Sequence, residues 1–112
     1  MSHQFSEQNG KIQLLEVQSL LNEYDNKSIM QEVEERISKG WNKYVLDLSK
    51  TEFLNSVGLN FLIFMMKKSK NSGGSFAVAN ASESIVKLLE VTKLKNFFQL
   101  EPSVNEALER LK

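Results

Sequence analysis

Cysteine is absent from this 112-residue chain, and histidine occurs once, as His3 beside the N-terminus. Without cysteine the chain has no disulfide, no thiol nucleophile and no cysteine-ligated zinc site. A single histidine argues against histidine-ligated metals and against a Ser-His catalytic pair. These absences remove the commonest routes to catalysis, so we expect no catalytic residue and no bound metal.

Long hydrophobic runs and a surplus of charge are also missing. The longest nearly continuous apolar stretch, residues 57–66, covers ten residues, whereas a membrane-spanning helix needs about 20. The N-terminal sequence has no basic start and no apolar core, unlike a signal peptide. Basic and acidic side chains both number 14, which leaves no basic surplus for nucleic acid. We expect a soluble cytoplasmic protein that neither inserts into a membrane nor binds nucleic acid.

Charge is nevertheless segregated along the chain. Residues 1–35 carry seven acidic and two basic side chains, and residues 36–70 carry seven basic and two acidic ones. Two interpretations are open. Each group is the solvated face of its own elements, or the two charged regions steer a charged partner.

Buried-type strands alternate with amphipathic segments throughout the chain. The length and the 41% hydrophobic content suit one domain over residues 1–112. Strands are expected at residues 11–17, 44–48 and 75–79, with a hairpin partner before the first, joined by Asn9 and Gly10, and an edge strand at 97–99. Helices are expected at residues 28–39 and 56–70, from Ser82, and from Pro102. This order predicts an α/β fold with a four- to five-stranded, mostly parallel (mixed) sheet and about four helices.

Local signals mark several helix ends. Ser28 with Gln31, and Ser103 with Glu106, match the spacing of capping boxes at two helix starts. Gly40 stands where a C-terminal cap belongs. These signals place the start of the first helix at residue 28.

Asp47, near the end of a buried strand, is the strongest candidate for a polar site. Ser49, Lys50 and Thr51 follow it, and sites in α/β folds lie at the carboxyl ends of strands. The same pattern also suits an aspartate that only caps a loop. No glycine-rich phosphate-binding loop and no metal-ligand spacing are present. We therefore expect a non-enzymatic protein without a cofactor.

The start of the second predicted helix is the most informative segment. Asn55 and Ser56 stand just before an apolar run, where side-chain oxygens cap backbone N–H groups. A phosphate on Ser56 would also be favoured there by the helix dipole.

The helix that follows is apolar all round. A helical projection places residues 59, 62, 63 and 66 on one side and residues 57, 61, 64 and 68 on the other. Phe61 and Phe64 therefore either pack between helices or form an exposed patch.

Residues 45–49 (Val-Leu-Asp-Leu-Ser) and 53–59 (Phe-Leu-Asn-Ser-Val-Gly-Leu) resemble the signature of the STAS domain family, which includes the bacterial anti-sigma factor antagonists. The element order, the length and the turn at Gly73 and Gly74 agree with this resemblance. In the phosphorylatable members the segment reads Asp-Ser-Ser-Gly-Leu or Asp-Ser-Thr-Gly-Leu. Their second hydroxyl residue is phosphorylated by a partner kinase, which is the anti-sigma factor itself, and the unphosphorylated form binds that kinase.

This chain departs from the phosphorylatable pattern at two places. Asn55 stands at the aspartate position, and Val57 occupies the phosphoacceptor position. An early Gly-x-Leu-Asp element of the family matches residues 19–22 (Ser-Leu-Leu-Asn), again with asparagine for aspartate. Valine has no group to phosphorylate, so Ser56 is the nearest candidate hydroxyl. The resemblance therefore implies binding without the usual phosphorylation switch.

Two roles follow from the resemblance. The first is an anti-sigma factor antagonist that regulates transcription by partner switching, as a monomer or weak dimer, with an anti-sigma factor of the serine-kinase type as its partner. The second is a STAS subunit of an ABC-type lipid transporter or another signalling assembly. In either role the expected contact residues are those at the start of the second helix: Asn55, Ser56, Val57, Gly58 and Phe61.

Overall fold

Five strands form one sheet in the computed structural model, which describes residues 3–8 and 10–111. The strands are β1 (His3–Gln8), β2 (Ile12–Val17), β3 (Lys43–Asp47), β4 (Ser75–Ala79) and β5 (Gln99–Glu101). Their order in the sheet is the order of the chain, β1-β2-β3-β4-β5. β1 pairs antiparallel with β2, and the other neighbours pair in parallel. The predicted mixed, mostly parallel sheet is confirmed.

Four α-helices connect and cover the strands. They are α1 (Glu23–Ser38), α2 (Ser56–Asn71), α3 (Glu83–Val91) and α4 (Val104–Leu111), with a 3-10 turn at Lys95–Phe97. Among the described residues, no helix is long and apolar enough to cross a membrane. The α/β architecture with four helices therefore agrees with the expectation from the sequence.

The two faces of the sheet carry cores of unequal size. Side chains alternate between the faces along each strand, so Tyr44 and Leu46 of β3 point to one face and Val45 to the other. The larger core lies under α1, α2 and α3. The smaller core lies under α4, where Ala77 and Ala79 of β4 meet Ala107 and Leu111, among others. Both faces of β3 and β4 are covered, which explains their nearly continuous apolar sequences.

The first helix begins five residues earlier than predicted. Asn22 is its N-cap, because the Asn22 side chain accepts a hydrogen bond from the Asp25 N–H at 3.0 Å. The capping box expected at Ser28 and Gln31 is therefore wrong. At the other end, Gly40 has a φ of +97° and follows the last turn, as expected for a C-terminal cap.

Smaller corrections apply near the C-terminus and at the hairpin. The last strand is Gln99–Glu101 rather than residues 97–99. Ser103 accepts a hydrogen bond from the Glu106 N–H at 3.2 Å and caps α4, so Pro102 precedes the helix instead of opening it. In the β1–β2 hairpin, Gly10 has a φ of +81°, while Asn9 lies outside the described residues.

The turn between α2 and β4 packs tightly against the segment that precedes β3. Gly74 donates a backbone hydrogen bond to the Ser69 carbonyl at 2.8 Å, and Ser75 donates one to the Asn42 carbonyl at 3.1 Å. A Cβ atom at Gly74 would lie 1.8 Å from the Asn42 carbonyl oxygen. The close approach of two backbones therefore requires glycine at this position.

Gly74→Ala is expected to lower the free energy of unfolding by about 3 kcal/mol, because the added methyl group forces the two backbones apart. Gly73→Ala is the matched control. A Cβ at Gly73 meets nothing within 4 Å, although its φ is +82°, so the expected loss is the ~1 kcal/mol cost of left-handed backbone. Urea denaturation measures the free energy of unfolding of both variants. Equal values would contradict the claim that the close backbone approach at Gly74 requires glycine.

Tyr44 in β3 is a buried titratable group. It is fully buried, and no described residue hydrogen-bonds its hydroxyl group. Desolvation raises the pKa of Tyr44 from 10.0 to about 12, and the nearby charge of Arg36 opposes this shift. The unfolded chain releases this proton near pH 10. The folded chain is therefore destabilised as the pH rises from about 10 to about 12, with no effect below that window.

Tyr44→Phe is expected to remove this pH dependence. Between about pH 8 and about pH 11, the native chain should lose about 1 kcal/mol more stability than the variant. At neutral pH the variant should be at least as stable as the native chain. The substitution removes a buried hydroxyl group that has no described hydrogen-bond partner, and with it the cost of burying that group. Chemical denaturation at both pH values measures the difference. If the difference in unfolding free energy between the native chain and Tyr44→Phe does not change with pH, Tyr44 does not titrate in this way.

Candidate functional site

The carboxyl ends of β2, β3 and β4 lie along one edge of the sheet because these strands pair in parallel. The helices that follow them, α1, α2 and α3, begin at the same edge. We call this edge the carboxyl rim and define it as residues 17–27, 47–59 and 79–84. It contains the signature segment and the early element identified in the sequence, which are brought together by the fold.

Asp47 serves the loop at the end of β3. Its Oδ1 accepts hydrogen bonds from the Ser49 N–H and from Nδ2 of Asn80, both at 3.0 Å. Lys50 is exposed and Thr51 is buried. The described residues contain no group of three His, Asp or Glu side chains that could hold a metal ion. Of the two interpretations of Asp47, the loop-capping one matches this geometry.

Two side-chain hydrogen bonds hold the β3–α2 loop to β2 and to the segment that precedes α3. Oγ1 of Thr51 donates to the carbonyl of Val17 at 3.1 Å. Oγ of Ser82 donates to the carbonyl of Glu52 at 2.7 Å. Since β2, β4–α3 and the loop are joined in this way, the start of α2 is presented from a braced loop.

Asn55 completes this bracing and also starts α2. Its Oδ1 accepts a hydrogen bond from the Gly58 N–H at 2.9 Å, and its Nδ2 donates to the carbonyl of Leu21 at 3.2 Å. Asn26 of α1 donates to the neighbouring Leu20 carbonyl at 2.8 Å. The β2–α1 loop is therefore held from both helices.

Gly58 allows this loop to lie against α2. It is buried, and a Cβ atom there would lie 2.8 Å from Cδ2 of Leu54 and 3.1 Å from the Leu20 carbonyl oxygen. A side chain at this position would displace the end of the Leu54 side chain and press against the Leu20 backbone. The glycine of the signature is thus explained by packing.

The predicted contact residues differ in their access to solvent. Asn55 and Ser56 are exposed, and Val57 is partly exposed. Phe61 is fully buried in the larger core, so its side chain does not reach the surface of the chain, and the contact expected there is not part of the exposed helix start. Gly58 is buried as well.

The burial of Phe61 results from the rotation of α2 about its axis. The face that meets the sheet consists of residues 58, 61, 62, 65 and 69, and it falls between the two stripes predicted from the projection. Because the helix is apolar all round, the sequence pattern did not determine which side faced the sheet. Of the two interpretations of Phe61, packing within the protein is confirmed.

Two exposed aromatic residues near the start of α2 were missed in the sequence. Tyr24 is 83% exposed and Phe53 is 53% exposed. Each lies within two residues of a helix N-cap, Asn22 or Asn55. A cleft between α1 and α2 is lined by Glu23, which precedes Tyr24, and by Asn26, Lys27, Met30, Val57 and Asn60. The sequence contains one signal that could have identified them: each is a large aromatic side chain in a polar segment, close to a helix-capping residue.

The electrostatics of α2 differ from those of the other helices. The first turns of α1, α3 and α4 contain acidic residues, including Glu23, Glu83 and Glu106. The first turn of α2 contains none. The positive end of its dipole is therefore not compensated by a side chain of its own.

Comparison with known proteins agrees with this architecture. A family model described as the STAS domain matches residues 6–107. A Thermotoga maritima protein named as an anti-sigma factor antagonist is 30% identical over 79 residues, which is 70% of each chain. A Thermotoga neapolitana protein named as a homologue of such an antagonist, TM1081, is 31% identical over 78 residues, covering 70% of this chain and 69% of its own.

Solved structures give the same result for the fold. The crystal structure of the Thermotoga maritima antagonist superposes with a TM-score of 0.87 at 24% identity, covering 97% of this chain and 93% of that one. The anti-sigma factor antagonist SpoIIAA in its unphosphorylated form superposes with a TM-score of 0.81 at 14% identity, covering 97% and 95%. The matched length, the sheet order and the signature segment at the start of α2 agree, and the chain belongs to the STAS domain family.

Proposed function

We propose that this chain is a protein-binding module of the anti-sigma factor antagonist type, whose partner is an anti-sigma factor of the serine-kinase type. The observation that carries the proposal is the start of α2, which is polar, exposed and braced by hydrogen bonds from two loops. A rigid surface of this kind binds a partner without first being ordered. The curated relatives that carry the antagonist name support the class of partner.

The proposed contact surface combines the polar helix start with neighbouring apolar side chains. Asn55, Ser56 and Val57 form its centre, and Tyr24 and Phe53 extend it on either side. Exposed aromatic side chains supply most of the binding energy in many interfaces. Gly58 contributes only by letting the loop approach α2.

The proposed module binds without phosphorylation at the position used by its phosphorylatable relatives. Val57 occupies that position and has no oxygen to accept a phosphoryl group. Ser56 is exposed, but consecutive residues on a helix point about 100° apart, so its hydroxyl group faces away from the direction in which a kinase would approach position 57. We therefore propose an unmodified binder.

Val57→Asp is expected to weaken partner binding by about thirtyfold, because it places a desolvated carboxylate in the contact. Val86→Asp on α3 is the matched control. Both valines are partly exposed on helices and neither belongs to the two cores. The partner is captured from native lysate, identified by mass spectrometry and titrated by calorimetry.

Equal affinities of native protein, Val57→Asp and Val86→Asp would place the contact elsewhere. Circular dichroism confirms first that each variant is folded. Phe61→Ala is unsuitable for this test, because Phe61 is a core residue and its truncation costs roughly 3–5 kcal/mol of stability.

Val57→Ser is expected to create a phosphoacceptor that the native chain lacks. After incubation with the captured kinase and ATP, the variant should gain one phosphate in intact-mass spectrometry, and the native protein should gain none. Ser56→Ala controls for the neighbouring hydroxyl group. A stoichiometric phosphate on the native chain that disappears in Ser56→Ala would show that the protein is switched at Ser56.

A further inference from the structure

The fold sorts the charged side chains onto opposite edges of the sheet. The starts of β2, β3 and β4 and the ends of α1, α2 and α3 form the edge opposite to the carboxyl rim. We call this edge the amino rim and define it as residues 11–12, 36–43, 67–75 and 90–97. Its basic residues are Lys11, Arg36, Lys39, Lys43, Lys67, Lys68, Lys70, Lys93 and Lys95.

Few opposite charges interrupt either edge. The amino rim contains one acidic residue, Glu90, which binds Lys95 at 3.1 Å, and Glu34, just outside the rim, binds Lys68 at 3.0 Å. The carboxyl rim contains five acidic residues, Glu23, Asp25, Asp47, Glu52 and Glu83, and two basic ones, Lys27 and Lys50. The carboxyl rim is therefore mainly acidic and the amino rim mainly basic, although most acidic residues of positions 1–35 lie on neither rim.

Exposed apolar side chains follow the same division. Four large hydrophobic residues are prominently exposed in the described part of the chain. Tyr24 and Phe53 lie on the acidic carboxyl rim, while Val91, 69% exposed, and Phe97, 57% exposed, lie on the basic amino rim. Beside Val91 and Phe97 is a hollow lined by Glu90, Lys93, Lys95 and Asn96. Each rim thus pairs two apolar side chains with charge of one sign.

We propose that the two rims bind each other between copies of this chain, so that Tyr24 and Phe53 of one copy meet Val91 and Phe97 of the next. The charges at the two surfaces are complementary, and the chain has no net charge to keep copies apart. Exposed ion pairs contribute little individually, so the expected Kd is on the order of 0.1 mM.

The contact joins two different surfaces and does not close on itself, so a third copy can add to a pair. A copy bound at the carboxyl rim also covers the start of α2. If the proposed function holds, self-association would therefore compete with binding of the partner; this consequence rests on that function. The self-association is measured without any partner, and its outcome is independent of that function.

Sedimentation velocity at low salt tests the proposal. The weight-average mass of the native chain is expected to rise with concentration beyond that of a dimer, and to return to that of a monomer in about 0.5 M NaCl, where charges are screened. Two charge-reversal variants, Lys93→Glu/Lys95→Glu and Glu23→Lys/Asp25→Lys, should each remain monomeric. An equimolar mixture of the two should associate, because each supplies the charges that the other has lost.

Lys27→Glu/Lys50→Glu is the matched control, since it makes the same change in net charge on the carboxyl rim and should still associate. The proposal is overturned if the native chain is monomeric at about 1 mM, well above the expected Kd, or if the mixed variants do not associate. It is also overturned if the native chain stays monomeric but binds vesicles of phosphatidylglycerol and phosphatidylcholine through Lys93 and Lys95. In that case a lipid surface covers the amino rim.

Discussion

The two hydrogen bonds of the Asn55 side chain hold together parts of the chain that are 34 residues apart. The oxygen satisfies a free N–H at the start of α2, and the amide nitrogen anchors the loop before α1. An aspartate could cap the helix equally well, but an ionised carboxylate has no proton to donate to the Leu21 carbonyl. The asparagine therefore makes one rigid surface from two loops, and the arrangement of the carboxyl rim depends on it.

This bracing explains why the signature segment is more than a helix start. Gly58 lets the backbone of the β2–α1 loop lie directly on α2, and Thr51 ties the β3–α2 loop to the end of β2. Each contact lies between segments that are distant in the chain.

Much of the fold was predictable because its signals are local. The strands alternate or run apolar, Ser82 caps the start of α3 at Glu83, and α2 begins at Ser56 as expected. The first turn of α1 was missed because residues 23–27 are polar and contribute little to the hydrophobic period, although Asn22 is a favourable N-cap. Sequence periodicity detects the buried part of a helix better than its solvated beginning.

The candidate site was only partly predictable because it depends on tertiary contacts. The resemblance located Asn55, Ser56 and Val57, but the orientation of α2 that buries Phe61 is set by packing against the sheet. The hydrogen bond from Ser82 to Glu52 and the exposure of Tyr24 and Phe53 likewise follow from the assembled fold. No local pattern in the sequence contains this information.

The unequal cores on the two faces of the sheet have a consequence for local stability. α4 is an eight-residue helix that rests on a small cluster in which β4 contributes two alanines. The helix can therefore detach as a separate cooperative unit, at a lower free energy than global unfolding, while the opposite face stays intact. Amide hydrogen exchange would then proceed faster in α4 than in α2, and the protein would tolerate fraying at one face without losing the geometry of the other.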